Sequence, residues 1–160
     1  LAALYREHYG PVAGYVYRRV GDVHVAEDLV AEVFLTVVRS LRRYQHRGVP
    51  FRAWLYRIAT NTVNRWARRR RRQAVHELLQ PSRAAVARGD ANPRKEPDAG
   101  VARMAMLALP PRYQSVLALH YFEGLSVDEV AATLDCRIGT VKSRLSRARQ
   151  ALRDRLEHGR

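Results

Sequence analysis

The apolar residues Ala26, Leu29, Val30, Val33, Phe34, Val37, Val38 and Leu41 recur every three or four positions. That spacing gathers them on one face of an α-helix and on no single face of a strand. The same period returns further on. Leu55, Ile58, Ala59, Thr62, Val63 and Trp66 predict a helix from about Phe51 into the arginine run at residues 68–72, with Trp66 in the core. Leu4, Val12, Val16 and Val20 mark a first helix, interrupted or bent at Gly10-Pro11. Alternating apolar runs and Asn-Gly or Asp-Gly hairpin signals are absent, so the chain is expected to be all-α.

Charge divides the chain. Its 160 residues carry 29 basic and 15 acidic side chains, a net +14, and only Lys95 and Lys142 among the basic ones are lysines. Residues 1–75 hold 15 basic against 5 acidic, residues 76–100 hold 4 against 4, and residues 101–160 hold 10 against 6. The neutral middle stretch also contains Pro81, Gly89, Pro93, Pro97 and Gly100, with little apolar periodicity after Leu79. That composition predicts a flexible linker between two small helical domains. A preference for arginine codons accounts for Arg over Lys but not for the excess of positive charge. The excess implies a polyanionic partner, and guanidinium groups grip phosphates through paired hydrogen bonds.

Several chemistries are excluded. Cys136 is the single cysteine, which rules out an internal disulfide and a cysteine-rich zinc site. The six histidines are scattered without metal-ligand spacing or a nucleophile beside them, so no catalytic residue, metal or cofactor is expected. No apolar run approaches the roughly 18 residues of a membrane span, and no signal peptide is expected. A reducing cytoplasmic location is expected.

The second half holds the most specific local pattern. Pro110-Pro111 stops a short helix near residues 101–109, and Tyr113, Val116, Leu117, Leu119 and Tyr121 suggest the next. Ser126-Val127-Asp128-Glu129 reads as a capping box, in which a hydroxyl and a carboxylate each satisfy a backbone amide at a helix start. Val130, Ala131 and Leu134 give that short helix its buried face, the chain turns at Asp135-Cys136, and a longer helix follows with Val141, Leu145, Ala148, Leu152 and Leu156 inward. Two helices joined by a tight turn, the second basic on its outer side, form a helix-turn-helix. Arg137, Thr140, Lys142, Ser143, Arg144 and Arg147 lie in the first turns, where a recognition helix reads base edges and phosphates. An ordinary solvated basic helix is the plainer reading.

In the first half, Arg57, Thr60, Asn61, Asn64 and Arg68 follow helical spacing opposite the apolar face. Mid-helix asparagines are poor helix formers, and their amides suit base edges. Tyr44, Phe51, Trp54 and Tyr56 offer rings on which an unpaired base can stack, or they are simply core. Glu27, Asp28 and Glu32 make an acidic cluster that either meets a basic protein surface or complements the helix dipole.

AEDLVAEVFLTVVRSLRRY followed by FRAWLYRIATNTVNRWARRRRR resembles conserved region 2 of extracytoplasmic-function sigma factors. LPPRYQSVLALHYFEGLSVDEVAATLDCRIGTVKSRLSRARQALRDRL resembles their region 4. The resemblance implies a bacterial promoter-recognition protein with region 2 over residues 1–75, a linker over 76–100 and region 4 over 101–160. By position it implies that Asp28, Glu32 and Phe34 contact the β′ clamp of core RNA polymerase. It assigns the loop 44–50 and helix 54–64, with Tyr44, Trp54, Arg57, Thr60, Asn61, Asn64 and Arg68, to the −10 element. Residues 137–147 take the −35 element, the second domain meets the β flap, and an anti-sigma factor is an expected partner. Arg137 departs from the family, which often has proline there. Against this stand three other readings: a stand-alone helix-turn-helix regulator, a non-specific nucleic-acid-coating protein, and an enzyme acting on nucleic acid, for which the clustered carboxylates of metal-assisted phosphoryl chemistry are lacking. The first leaves the acidic cluster and the aromatic loop unused.

Overall fold

The computed structural model describes residues 1–45, 48–80 and 97–159, and at residues 97–99 the backbone alone. Most of the linker expected at 76–100 therefore lies outside the described residues, as do His46 and Arg47 of the loop 44–50. Seven α-helices and no strand occur among the described residues. They are α1 (Ala2–Val20), α2 (Val23–Ser40), α3 (Phe51–Leu79), α4 (Pro97–Leu107), α5 (Pro111–Leu117), α6 (Val127–Leu134) and α7 (Ile138–His158). The all-α architecture of two helical modules is as the periodicity predicts.

Local chemistry sets each boundary. Gly21 ends α1 in the left-handed conformation, φ 77°, and its amide reaches the Tyr17 carbonyl. Asp22 then starts α2, its carboxylate accepting from the His24 and Val25 amides at 2.8 and 3.0 Å. Those bonds, the Val25 amide foremost, hold the Asp22 carboxyl below its ordinary range. Pro111 stands at the start of α5, where a missing amide costs nothing. The capping box at Ser126 is complete: the Glu129 amide donates to Ser126 Oγ at 3.1 Å and the Ser126 amide to Glu129 Oε2 at 2.7 Å. Asp135, at φ 51°, makes the turn into α7.

Four features differ from the sequence expectation, the first being that α3 runs to Leu79 and α4 starts at Pro97, so both ends of the expected linker are helical. Helix α1 runs unbroken through Gly10-Pro11, with Pro11 on its exposed side. Val38 and Tyr121, counted with the buried faces, are exposed, since each sits at the margin of its apolar stripe. Helix α5 passes into a π-helical turn, Ala118–Phe122, in which the Glu123 amide bonds to the Ala118 carbonyl. One extra residue in a turn rotates the following side chains by about 100°. The turn sends Glu123 inward while Phe122 stays outside.

Val12, Tyr15 and Val16 of α1, Val33 and Val37 of α2, and Leu55, Ala59 and Val63 of α3 form the first core. Val116, Leu119, Leu125, Val130, Val141 and Leu145 form the second. The two merge into one apolar cluster, because α3 packs on α6 and α1 on α4 and the π turn. Removing the cap tests the local account. Ser126→Ala is expected to lower the unfolding free energy by about 1 kcal/mol, read as a lower urea midpoint, with Ser126→Asp recovering it.

Candidate nucleic-acid interface

Helix α7 presents its basic first turns to solvent. Val141, Leu145 and Ala148 are buried against α5 and α6. Arg137, Lys142, Ser143 and Arg147 are exposed on the other side, with Thr140 and Arg144 half-buried between. Arg137 occupies the N-cap position without a side-chain capping bond. Among the described residues, none of Arg137, Lys142, Arg144 and Arg147 enters an ion pair. Their donors are available to an anionic groove.

The stripe on α3 is not one exposed face. Asn61 and Arg68 are exposed. Thr60 is 1% exposed, and its hydroxyl pairs with that of Tyr15 at 2.7 Å. Asn64 Oδ1 accepts from Arg19 Nη2 at 2.8 Å. Arg57 reaches into the second module and donates to the Thr133 and Ala132 carbonyls at 3.2 and 2.5 Å. These carbonyls belong to the last turn of α6, which has no further intrahelical donors. Among the rings, Tyr56 is core at 2% exposure, whereas Tyr44, Phe51 and Trp54 form a half-buried cluster with centroids 4.8–5.6 Å apart. The Tyr44 hydroxyl donates to the Val49 carbonyl at 2.9 Å.

On α2, Asp28 is exposed and Glu32 lies 3.8 Å from Arg65 Nη2. Phe34 points inward, under Tyr5 and Tyr9 at centroid distances of 4.9 and 6.0 Å. Leu35 and Val38 are the apolar side chains that α2 exposes in this stretch. Phe34 thus supports this surface from beneath.

The seam between the modules is built on residues that periodicity alone did not single out. Glu123 is buried, and its carboxylate accepts from Arg18 and, at 2.6 Å, from the Tyr56 hydroxyl. Arg52 donates to its backbone carbonyl. Arg19, 3% exposed, donates to Gln114 Oε1, Ser115 Oγ and Tyr15 Oη as well as to Asn64. Arg103 of α4 bonds the Tyr17 hydroxyl and the Gly21 carbonyl at 2.9 and 2.8 Å. A signal for Arg19 was present in the sequence: with Val12, Tyr15 and Val16 it completes a helical stripe, a charge at a core position.

Sigma-70 region 2 matches residues 4–73 and Sigma-70 region 4 matches residues 100–152. The ECF RNA polymerase sigma factor SigW of Bacillus subtilis is 31% identical over 88% of this chain and 80% of its own length. The chain belongs to the ECF group of RNA polymerase sigma factors. The sigma factor SigE of Mycolicibacterium smegmatis is 40% identical over 96% of this chain, which spans 60% of that protein. Two solved structures share the fold across both modules. One is RpoE of Bartonella quintana bound to the anti-sigma factor NepR, with TM-score 0.74, 24% identity and full coverage of both chains. The other is CnrH with the cytosolic domain of CnrY, with TM-score 0.70, 25% identity and coverage of 98% and 87%.

Burial, followed by the hydrogen bond to Glu123 and the charge of that carboxylate, pushes the Tyr56 phenol above the ordinary tyrosine range. The unfolded phenol ionises near pH ~10, so the stabilisation is complete below that pH and is lost as pH rises above it. In an alkaline absorbance titration, one of the eight tyrosines should resist ionisation until the protein unfolds, and Tyr56→Phe should abolish the lag. Glu123→Ala should leave helical circular dichroism unchanged while small-angle scattering shows a larger radius of gyration. An unchanged radius would contradict its role as the bond that holds the modules together.

Proposed function

We propose that this sigma factor docks on core RNA polymerase, directs it to specific promoters and helps to melt the −10 element. Module one, over residues 1–75, acts on polymerase and the −10 strand. Module two, over residues 101–160, acts on the −35 duplex and the β flap, and residues 76–100 connect them. The observation that carries this reading is the presence of Sigma-70 regions 2 and 4 in one chain, with α7 holding its basic first turns clear of ion pairs.

Helix α2 offers Asp28, Glu32, Leu35 and Val38 to the β′ clamp as an acidic and apolar surface on an otherwise basic module. Helix α7 enters the major groove with Arg137, Lys142, Arg144 and Arg147 ready for guanine edges and phosphates, where a good bidentate pair contributes about 1–3 kcal/mol of discrimination. On α3, Asn61 and Arg68 meet the −10 strand from their exposed positions, beside the Tyr44 and Trp54 rings. Arg57, Thr60 and Asn64 are engaged within the protein, so the docked arrangement is a closed state. Promoter capture must release Arg57 from α6. No catalytic step is assigned to any residue. The setting is the cytoplasm, and because RpoE was solved with an anti-sigma factor, an anti-sigma factor that favours the closed state is proposed here as well.

Run-off transcription with core polymerase on a randomised promoter library tests the reading, and no promoter-dependent product on any template would overturn it. In that assay, Asn61→Ala should reduce open-complex formation while upstream duplex binding persists. Arg144→Ala should relax selection at one upstream base pair. Equal loss of both functions in either variant would contradict the division of labour.

A further inference from the structure

Arg19 is a guanidinium removed from water with no carboxylate beside it. Its four partners, Gln114, Ser115, Tyr15 and Asn64, are all neutral, and no ion pair includes it among the described residues. A buried charge without a counter-ion is costly, and an anion close by would offset that cost. Arg19 also lines a cavity of about 330 Å³ whose wall carries the exposed Arg70 and Arg71. Arg70 lies over the Trp66 ring, 5.6 Å from its centroid. No carboxylate lines the cavity, and Asp22, whose charge acts on Arg70, caps α2. Three guanidiniums therefore converge on a cavity without a free acid.

The cavity belongs to the docked state. Arg19, Trp66, Arg70 and Arg71 come from module one, while Leu107, Pro111 and Gln114 close the far side from module two. Its volume falls at the small end of ligand cavities, about 300–1,000 Å³. That is room for a diphosphate and a ring, not for a strand of several nucleotides. We propose that this seam cavity binds a small diphosphate anion, either inorganic pyrophosphate or a nucleoside diphosphate. Arg70 and Arg71 take the phosphates, the buried charge of Arg19 attracts the anion from behind its own hydrogen bonds, and in the nucleoside case the base lies against Trp66. The bound anion neutralises Arg19 and stabilises the closed arrangement, since it binds the docked form alone. This rests on the closed-state reading above and extends it to a ligand.

Isothermal titration of the whole chain with pyrophosphate, adenosine diphosphate and guanosine diphosphate, at near-physiological ionic strength, tests the proposal. Equimolar, saturable binding is expected with at least one probe. The double variant Arg70→Gln/Arg71→Gln should weaken it roughly tenfold or more. Arg69→Gln/Arg72→Gln, an equal loss of charge outside the cavity, should leave affinity nearly unchanged, and Glu123→Ala, which opens the seam, should weaken it. Tighter binding of the nucleotides than of pyrophosphate identifies a nucleoside ligand, and equal binding identifies the inorganic one. The proposal is overturned by any of four results: no saturable binding, equal loss in the two arginine pairs, full affinity in Glu123→Ala, or binding of a single-stranded oligonucleotide alone. Polymerase is absent from this measurement, so its failure leaves the transcription reading standing, and a failed transcription assay leaves the cavity to be judged separately.

Discussion

Glu123 is a carboxylate taken out of water between two helical modules, and its donors come from the opposite one. Removing such a charge from solvent costs several kcal/mol unless hydrogen bonds replace the water it loses. Arg18 and Tyr56 supply those bonds, and Arg52 secures the neighbouring carbonyl. Separating the modules would break these bonds, so the seam is held by a carboxylate and donors from the opposite module.

The docked seam treats the two basic surfaces differently. Helix α7 keeps its basic first turns in solvent while the modules are docked, because its packing on α5 and α6 uses only the Val141, Leu145 and Ala148 side. Helix α3 is committed: Arg57 caps the carbonyl end of α6 and Asn64 holds Arg19. In this arrangement Arg57, Thr60 and Asn64 are engaged within the protein, while Asn61 and Arg68 stay exposed.

Much of this was legible in the sequence for physical reasons that act over a few residues. Apolar period 3.6 gave the helices, the Ser126–Glu129 pair gave the start of α6, and the basic helix after a capped short one gave the helix-turn-helix. The candidate site was legible in its residue types but only partly in their exposure. Thr60 and Asn64 have the same spacing as Asn61, yet the hydroxyl of one meets Tyr15 and the amide of the other meets Arg19. Phe34 shares a helix with Asp28 and Glu32 but turns beneath Tyr5 and Tyr9.

The sequence by itself determined the all-α class, the helix boundaries set by caps and prolines, and the distribution of positive charge, since each depends on neighbours along the chain. Only the tertiary structure decided that the modules dock. Arg18 and Glu123 stand 105 positions apart, and nothing in local propensity joins residues at that separation. Their pairing exists because a π turn swings one carboxylate inward at the place where another helix presents a guanidinium and a phenol. Such contacts follow from the packing of whole elements, and periodicity cannot report them.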